Sequence, residues 1–400
     1  MADKIKIGII GIGNMGSGHF NNILNGACPE LEVRAVADID EKRLDWARKN
    51  LENRKAEGEE HEDVEMFDDA SAMLKSGKIE AAIVAVPHYD HPRYVIEAIE
   101  NGIHVMSEKP AGVYTKQVRE MNEVAKKHPE ITFGVMFNQR TNPCYRKIYE
   151  LLHSGEMGAI RRTSWIITDW YRSQRYYDSG SWRATWSGEG GGVLLNQCPH
   201  NLDLFQWLCG MPVKVSAKMH FGKWHDIEVE DDVTAYVEYA NGATGTFIAT
   251  TGDAPGSNRL EISCEKGKIV CDDERLHVWK LETDITTFTY DKNITASFGS
   301  PKLIEDKDIE TTGPNTQHIG VLNAFAAHIL RNEPLIAEGC EGLNSLTLSN
   351  AMHLSGWLGK DVEIPFDEDL FKDELMKRVA TSRRKVNVNS QMCIQGEKKI

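Results

Sequence analysis

Three stretches of the 400-residue chain carry side chains that could act together on one substrate. The first is GGGVLLNQCPHNLD, Gly190 to Asp203, where Asn196, His200 and Asp203 interrupt an apolar run at helical spacing. His200 is the best proton acceptor of the three, because imidazole titrates near neutral pH. Asn196 cannot take up a proton, but its amide can hold a hydroxyl through oxygen or nitrogen. Asp203 lies within reach of His200 on a helix face. It is read either as the group that holds the imidazole tautomer or as an anchor of the helix to nearby backbone. Pro199 would cost ~3 kcal/mol inside a helix but is tolerated in a first turn. The ordered helix is therefore expected to start near Asn196, with its positive end at the site. Cys198 is read as a small packing residue.

The second stretch is GIIGIGNMGSGHF. Gly11, Gly13 and Gly16 form GxGxxG between an expected strand and an expected helix. That order makes a tight turn, a close approach to a pyrophosphate and a helix N-terminus facing phosphate. Asn14 and Met15 lie within the turn. Asp38 ends the next strand about twenty residues on, where an acid holds ribose hydroxyls. Ile39 stands beside it. A carboxylate at this place favours NAD and repels a 2′-phosphate. Arg43, five residues later, keeps NADP as the lesser reading. The third stretch, SEKP, ends the expected strand His104–Ser107 in Glu108-Lys109-Pro110, on the carboxyl edge where open α/β sheets bind ligands. Lys109 is the donor that would steady a developing alkoxide or clamp the cofactor. Glu108 is read as holding ribose or structure.

Other polar groups should border the same crevice. Pro87 and His88 follow the expected strand Ala81–Val86, and Asn138 and Arg140 follow the expected strand Ile131–Phe137. TDWYRSQRYYDSGSWRATWSGEG supplies Tyr176, Trp182 and Arg183 as cofactor or substrate contacts, since flat rings stack on sugar C–H faces. Lys109, Arg140, Tyr176, Arg183, Asn196 and His200 form the expected substrate set. The separation of His88 and His91 resembles a metal pair, but no third ligand is evident, and no metal is assigned.

Positioning these groups requires a particular scaffold. Short apolar runs at Ile5–Ile10, Leu31–Ala37, Ala81–Val86, His104–Ser107 and Ile131–Phe137 alternate with amphipathic stretches at Gly16–Leu24, Lys42–Asn50, Tyr94–Asn101 and Lys116–Lys127. That alternation predicts a doubly wound parallel sheet over residues 1–140. The acidic stretch KAEGEEHEDVE reads as a solvated loop. Later segments alternate strongly and carry the turns ANGA and EKGK, which predict a large, mostly antiparallel open sheet. The fold class is α/β: a Rossmann domain at 1–140, a second α/β domain at 141–379 closed by helices at His318–Arg331 and Gly342–Leu358, and a polar tail at 380–400.

The combination GIGNMGSGH, EKP and GGG…H..D, with GVMFNQRTNPCY running on from the expected strand Ile131–Phe137, resembles the Gfo/Idh/MocA family. The resemblance runs over residues ~4–360. It implies hydride transfer between NAD and a secondary alcohol, usually on a sugar or cyclitol ring. It also implies an open sheet that often joins subunits, so a homo-oligomer is expected. The family's catalytic pattern is an Asp followed four residues later by His or Tyr. Here that pair is Asn196 and His200, so the acid is missing. LNQCPHNLD is similar to a branch linked with 3-oxidation of glycosides, whose 3-ketone a partner lyase could cleave. Three other readings stand beside it: inositol dehydrogenase, a redox-neutral NAD-dependent glycosidase, and a non-catalytic NAD-linked sensor.

Bulk composition bounds the partners. The formal charge of −14 argues against a nucleic-acid or anionic-membrane surface. No apolar run is long enough to span a bilayer. Eight cysteines without a CxxC pair suggest neither a zinc site nor a disulfide framework. A cytoplasmic protein with reduced thiols is expected.

Overall fold

The computed structural model describes residues 4–59, 61–295 and 297–383. Its first sheet has six strands: β1 (Ile5–Ile10), β2 (Leu31–Ala37), β3 (Glu65–Phe67), β4 (Ala81–Val84), β5 (His104–Ser107) and β6 (Phe133–Val135). They lie in the order β3-β2-β1-β4-β5-β6, and every pairing is parallel. Strand order reverses between β1 and β4, which opens a crevice at their carboxyl ends. The near-continuous apolar runs follow from this layout, because helices cover both faces of a parallel sheet. Ile7, Ile9, Ala81 and Ile83 are all fully buried.

The second sheet has nine strands: β7 (Ile160–Ile167), β8 (Lys214–Phe221), β9 (Glu230–Glu238), β10 (Thr244–Thr250), β11 (Asn258–Cys264), β12 (Gly267–Asp272), β13 (Arg275–Leu281), β14 (Leu303–Ile309) and β15 (Val362–Glu363). Their order is β14-β13-β12-β11-β7-β10-β9-β8-β15, antiparallel except for the β7/β10 pair. Alternation in the sequence becomes alternation of faces. In β10, Gly245, Phe247 and Ala249 are buried, while Thr244, Thr246 and Ile248 are only partly so.

Three elements depart from the expectation. β3 lies at the end of the acidic stretch read as loop, and the helix before it runs on from Glu41 to Ala56. A three-residue edge strand needs one ladder and no apolar alternation, so it leaves no periodic signal. The helix Gln317–Arg331 does not stay with the second sheet. Its Val321, Leu322, Phe325 and Ala326 join the core beside Ile5, Ile7, Ile9 and Met136 of the first. A division of the chain at residue 140 therefore separates this helix from the sheet it covers. Last, a helix spans Glu368–Thr381, capped by Asp367. Ser382 bonds Ser187 Oγ at 3.0 Å and Glu228 Oε2 at 2.5 Å. The remainder of the expected polar tail lies outside the described residues.

Candidate active site

The turn after β1 fits a dinucleotide on its own geometry. Gly11 has φ +89°, and a Cβ there would meet Ala85 O at 2.5 Å. A Cβ on Gly16 would lie 1.8 Å from Gly11 O, whereas nothing stands within 4 Å of one on Gly13, where the backbone faces open space. The helix Asn14–Leu24 has no side-chain cap and no acid in its first turn, so its leading N–H groups are left for a phosphate. Asp38 Oδ2 accepts from Ile12 N at 2.7 Å and Oδ1 from Asp40 N at 2.9 Å. These bonds aim the carboxylate and leave each oxygen capacity for a ribose hydroxyl. Arg43 keeps a buried, unpartnered Nη1 beside Asp38.

A cavity of about 1010 Å³ runs from this turn to the segment 170–183 and the residues around Asn196 and His200. Gly11, Gly13, Asn14, Met15, Asp38, Ile39 and Arg43 line its cofactor end, with Pro87 and His88 beyond. Glu108, Lys109, Asn138, Tyr176, Trp182, Arg183, Asn196 and His200 line the rest. Gly16 lies behind the turn, as its packing requires. His91 reaches the cavity, but both its ring nitrogens lie 2.7 Å from carbonyl oxygens, Pro110 O and Val86 O. His88 Nδ1 faces Glu189 O at 3.1 Å.

The opening motif folds in two parts. Val193–Gln197 forms a single π turn, closed by Cys198 N on Val193 O at 2.8 Å. The α-helix Pro199–Cys209 then begins with Pro199 in its first turn, where it has no N–H to waste. So the helix starts three residues later than expected, and Asn196 belongs to the turn before it. π turns inserted this way recur at functional sites. The glycines allow this turn to seat: a Cβ on Gly192 would lie 2.0 Å from Glu230 O. The Glu230 carboxylate accepts from Gly192 N at 2.8 Å and from Leu194 N at 3.0 Å. The break leaves the Asn196 carbonyl free to accept from Lys109 Nζ at 3.1 Å.

Two site expectations are corrected. Asp203 does not hold the His200 tautomer. It is buried and gives both oxygens to Arg140, with Nη2 at 2.7 Å and Nε at 2.8 Å. His200 Nδ1 has no hydrogen-bond partner among the described residues. Arg140 does not line the cavity either. It is 4% exposed, and its remaining Nη1 donates to Glu341 at 2.7 Å. The reason is direction: one helical turn past His200, Asp203 points to the chain after β6 rather than into the cavity.

Electrostatics favour a neutral imidazole at the centre. Burial and the nearby Lys109 charge push His200 well below its ordinary pKa of 6.5. Burial likewise lowers Lys109. Glu108 goes the other way. Burial would raise it, but the His19 hydrogen bond at 2.7 Å and the charges of His19, His318 and Lys109 hold it at about 2. A depressed imidazole pKa keeps the base form to lower pH. The kcat/KM profile for oxidation is therefore expected to hold its plateau down through pH 6.5, with the acid limb below it. An acid limb centred above pH 6.5 would exclude His200 as the group that takes the proton.

Sequence reasoning missed several polar neighbours, among them Glu189, His19 and His318, with Gln139, Arg172 and Gln197 on the cavity wall. Glu189 immediately precedes the three glycines, and that adjacency was the available signal. His19 sits in GIGNMGSGH and had no assigned role. His318 enters through the helix that returns to the first sheet, which nothing local announces.

Comparison with known proteins agrees with this architecture. Residues 5–137 match the model "Oxidoreductase family, NAD-binding Rossmann fold", and residues 145–270 match the "GFO/IDH/MocA C-terminal domain". A D-glucoside 3-dehydrogenase of Escherichia coli is 27% identical over 230 residues, 53% of this chain and 61% of that protein. A myo-inositol 2-dehydrogenase of Thermotoga maritima is 24% identical over 68% of this chain and 76% of its own. The WlbA dehydrogenase of Bordetella pertussis, solved with NADH and UDP-GlcNAcA, superposes with a TM-score of 0.72 at 25% identity, covering 91% of this chain and 100% of that one. No described helix is long and apolar enough to cross a membrane. With both halves matched and the dinucleotide turn intact, the chain belongs to the Gfo/Idh/MocA family of NAD-dependent oxidoreductases.

Proposed function

We propose that the protein oxidises a ring secondary alcohol of a glycoside, at C3 of a glucoside, to the 3-keto-glycoside. The observation that carries this reading is the convergence of Lys109, His200 and Asn196 beside Trp170, Tyr176 and Trp182 in one cavity. His200 takes the hydroxyl proton. Lys109 donates to the same oxygen as negative charge builds on it. Asn196 holds a neighbouring hydroxyl, and the rings cover a sugar face. NAD, when bound, supplies the hydride acceptor. The similarity to the D-glucoside 3-dehydrogenase supports the position of attack. A 3-ketone acidifies the C2–H, so the reaction class that consumes it is β-elimination by a lyase. The partly buried outer face of the second sheet supports a homo-oligomer through that face.

The test is NAD reduction on aryl glucosides, free hexoses and inositols, with products assigned by NMR. Glucosides should release stoichiometric NADH and a 3-keto product. Turnover of inositols alone would move the assignment to a cyclitol dehydrogenase. Hydrolysis without net NADH would identify a redox-neutral glycosidase. Tight NAD binding with no turnover of any alcohol would leave a sensor.

A further inference from the structure

One buried carboxylate borders the site with no role assigned so far. Glu189 is 1% exposed and lies just before the three glycines. Its Oε2 accepts from Ala184 N at 2.5 Å, and its Oε1 accepts from Asn196 Nδ2. Arg183 Nη1 stands 3.5 Å from Oε1. The same Nη1 donates to the Tyr176 hydroxyl at 2.8 Å, and that hydroxyl donates to Asn196 Oδ1 at 3.2 Å. Glu189, Asn196, Tyr176 and Arg183 thus close a ring. Gln197 Nε2 adds a second donor to Tyr176 Oη at 3.2 Å.

The directions in this ring follow from the ionised form of Glu189. Burial raises its pKa, while the Arg183 charge and the hydrogen bonds from Ala184 N and Asn196 lower it and favour the carboxylate. An ionised carboxylate only accepts and a guanidinium only donates. Asn196 must therefore turn its NH₂ to Glu189 and its oxygen to Tyr176 and the cavity. Tyr176, already accepting twice, spends its single proton on that oxygen. One buried charge sets two rotors that face the substrate.

We propose that Glu189 is a positioning residue, which fixes Asn196 as a hydrogen-bond acceptor toward a substrate hydroxyl. The inference rests on the proposed alcohol oxidation for what Asn196 touches, but not for how Asn196 is oriented. Glu189→Gln inverts the ring by a definite route. Ala184 N–H still needs an acceptor, so the introduced amide must keep its oxygen there and turn its NH₂ to Asn196. Asn196 then flips and offers NH₂ where it offered oxygen. Adding Asn196→Asp restores the pattern: the introduced amide's NH₂ and the Tyr176 hydroxyl both donate to the new carboxylate.

The experiment compares the wild type, E189Q and E189Q/N196D, all as NAD-loaded full chains. E189Q should lower kcat about 10- to 100-fold, as expected for losing a hydrogen bond set by a charged group, with the KM for NAD unchanged. The double variant should recover to within about fivefold of wild type. Unchanged kcat in E189Q, or a loss that the double variant leaves in place while all three chains melt alike, would overturn the proposal. A second readout needs no substrate. In chains labelled with ¹⁵N-asparagine, the Asn196 side-chain resonance, assigned by its loss in E189Q/N196D, should move markedly in E189Q. If it stays where it was, the orientation claim falls. If the resonance moves but no alcohol in the panel reduces NAD, the claim stands and only the functional reading falls.

Discussion

Replacing Lys109 with methionine is expected to lower kcat for alcohol oxidation about 10²- to 10⁴-fold, the range of a positioned acid–base group. NADH binding, followed by fluorescence, should change far less. The side chain leaves the end of β5, where parallel pairing with β4 and β6 leaves the strand little freedom. Its Nζ reaches the Asn196 carbonyl at 3.1 Å, a contact that ties the first sheet's edge to the π turn. Burial lowers the lysine's pKa, so its proton is available to an oxygen gaining charge. Methionine keeps most of the volume and removes only the charge and the donor, so packing loss contributes little. The glycines and Asp38 that fit the cofactor are untouched. Wild-type turnover in K109M would remove Lys109 from the chemistry. A parallel loss of NADH binding would recast it as a cofactor clamp.

Asp203→Ala is expected to cost about 3–5 kcal/mol of stability, the range for breaking a buried ion pair by removing one partner. Measured by urea unfolding, this should be among the largest single-residue effects in the second half of the chain. Arg140 would be left buried with only Glu341, which is 32% exposed at its side chain. Phe137 and Trp207, each with its ring centre 5.3 Å from the guanidinium, cannot replace a carboxylate. The double variant R140M/D203L should regain most of the loss, because two apolar residues leave no unpaired charge. The same experiment separates the two readings of Asp203. If Asp203 held the imidazole, the acid limb of the pH profile would shift in the folded fraction. With Asp203 committed to Arg140, that limb should stay in place. Stability within about 1 kcal/mol of wild type in D203A would mean the pair contributes little.

The cofactor half was largely legible because its signals are local. Gly11, Gly13, Gly16 and Asp38 act through backbone geometry within one βαβ unit, so spacing along the chain maps directly onto position in space. Lys109 was legible for a similar reason, since a residue ending a parallel strand can only emerge at one edge. The two-sheet plan followed from a change of period: continuous apolar runs for strands buried on both faces, alternating runs for strands buried on one.

The helix that carries His200 was only half legible. Pro199 announced a helix start, because a residue without N–H can only join in the first turn. The π turn before it left no periodic signal, and it puts Asn196 outside the helix that carries His200. Which carboxylate serves which partner was decided by tertiary structure alone. Asp203 and Arg140 are 63 residues apart, and no periodicity in either segment says that they meet. Glu189 received no reading from the sequence, and burial against Asn196 and Arg183 gave it its place. His318 reached the site because a helix from the last quarter of the chain covers the first sheet. Residue types and spacing therefore determined the scaffold, the cofactor turn and the strand-end lysine, where backbone geometry is the whole cause. Pairing among buried polar groups depends on which distant side chains remain unsatisfied once the sheets have packed, and only the folded chain decides that.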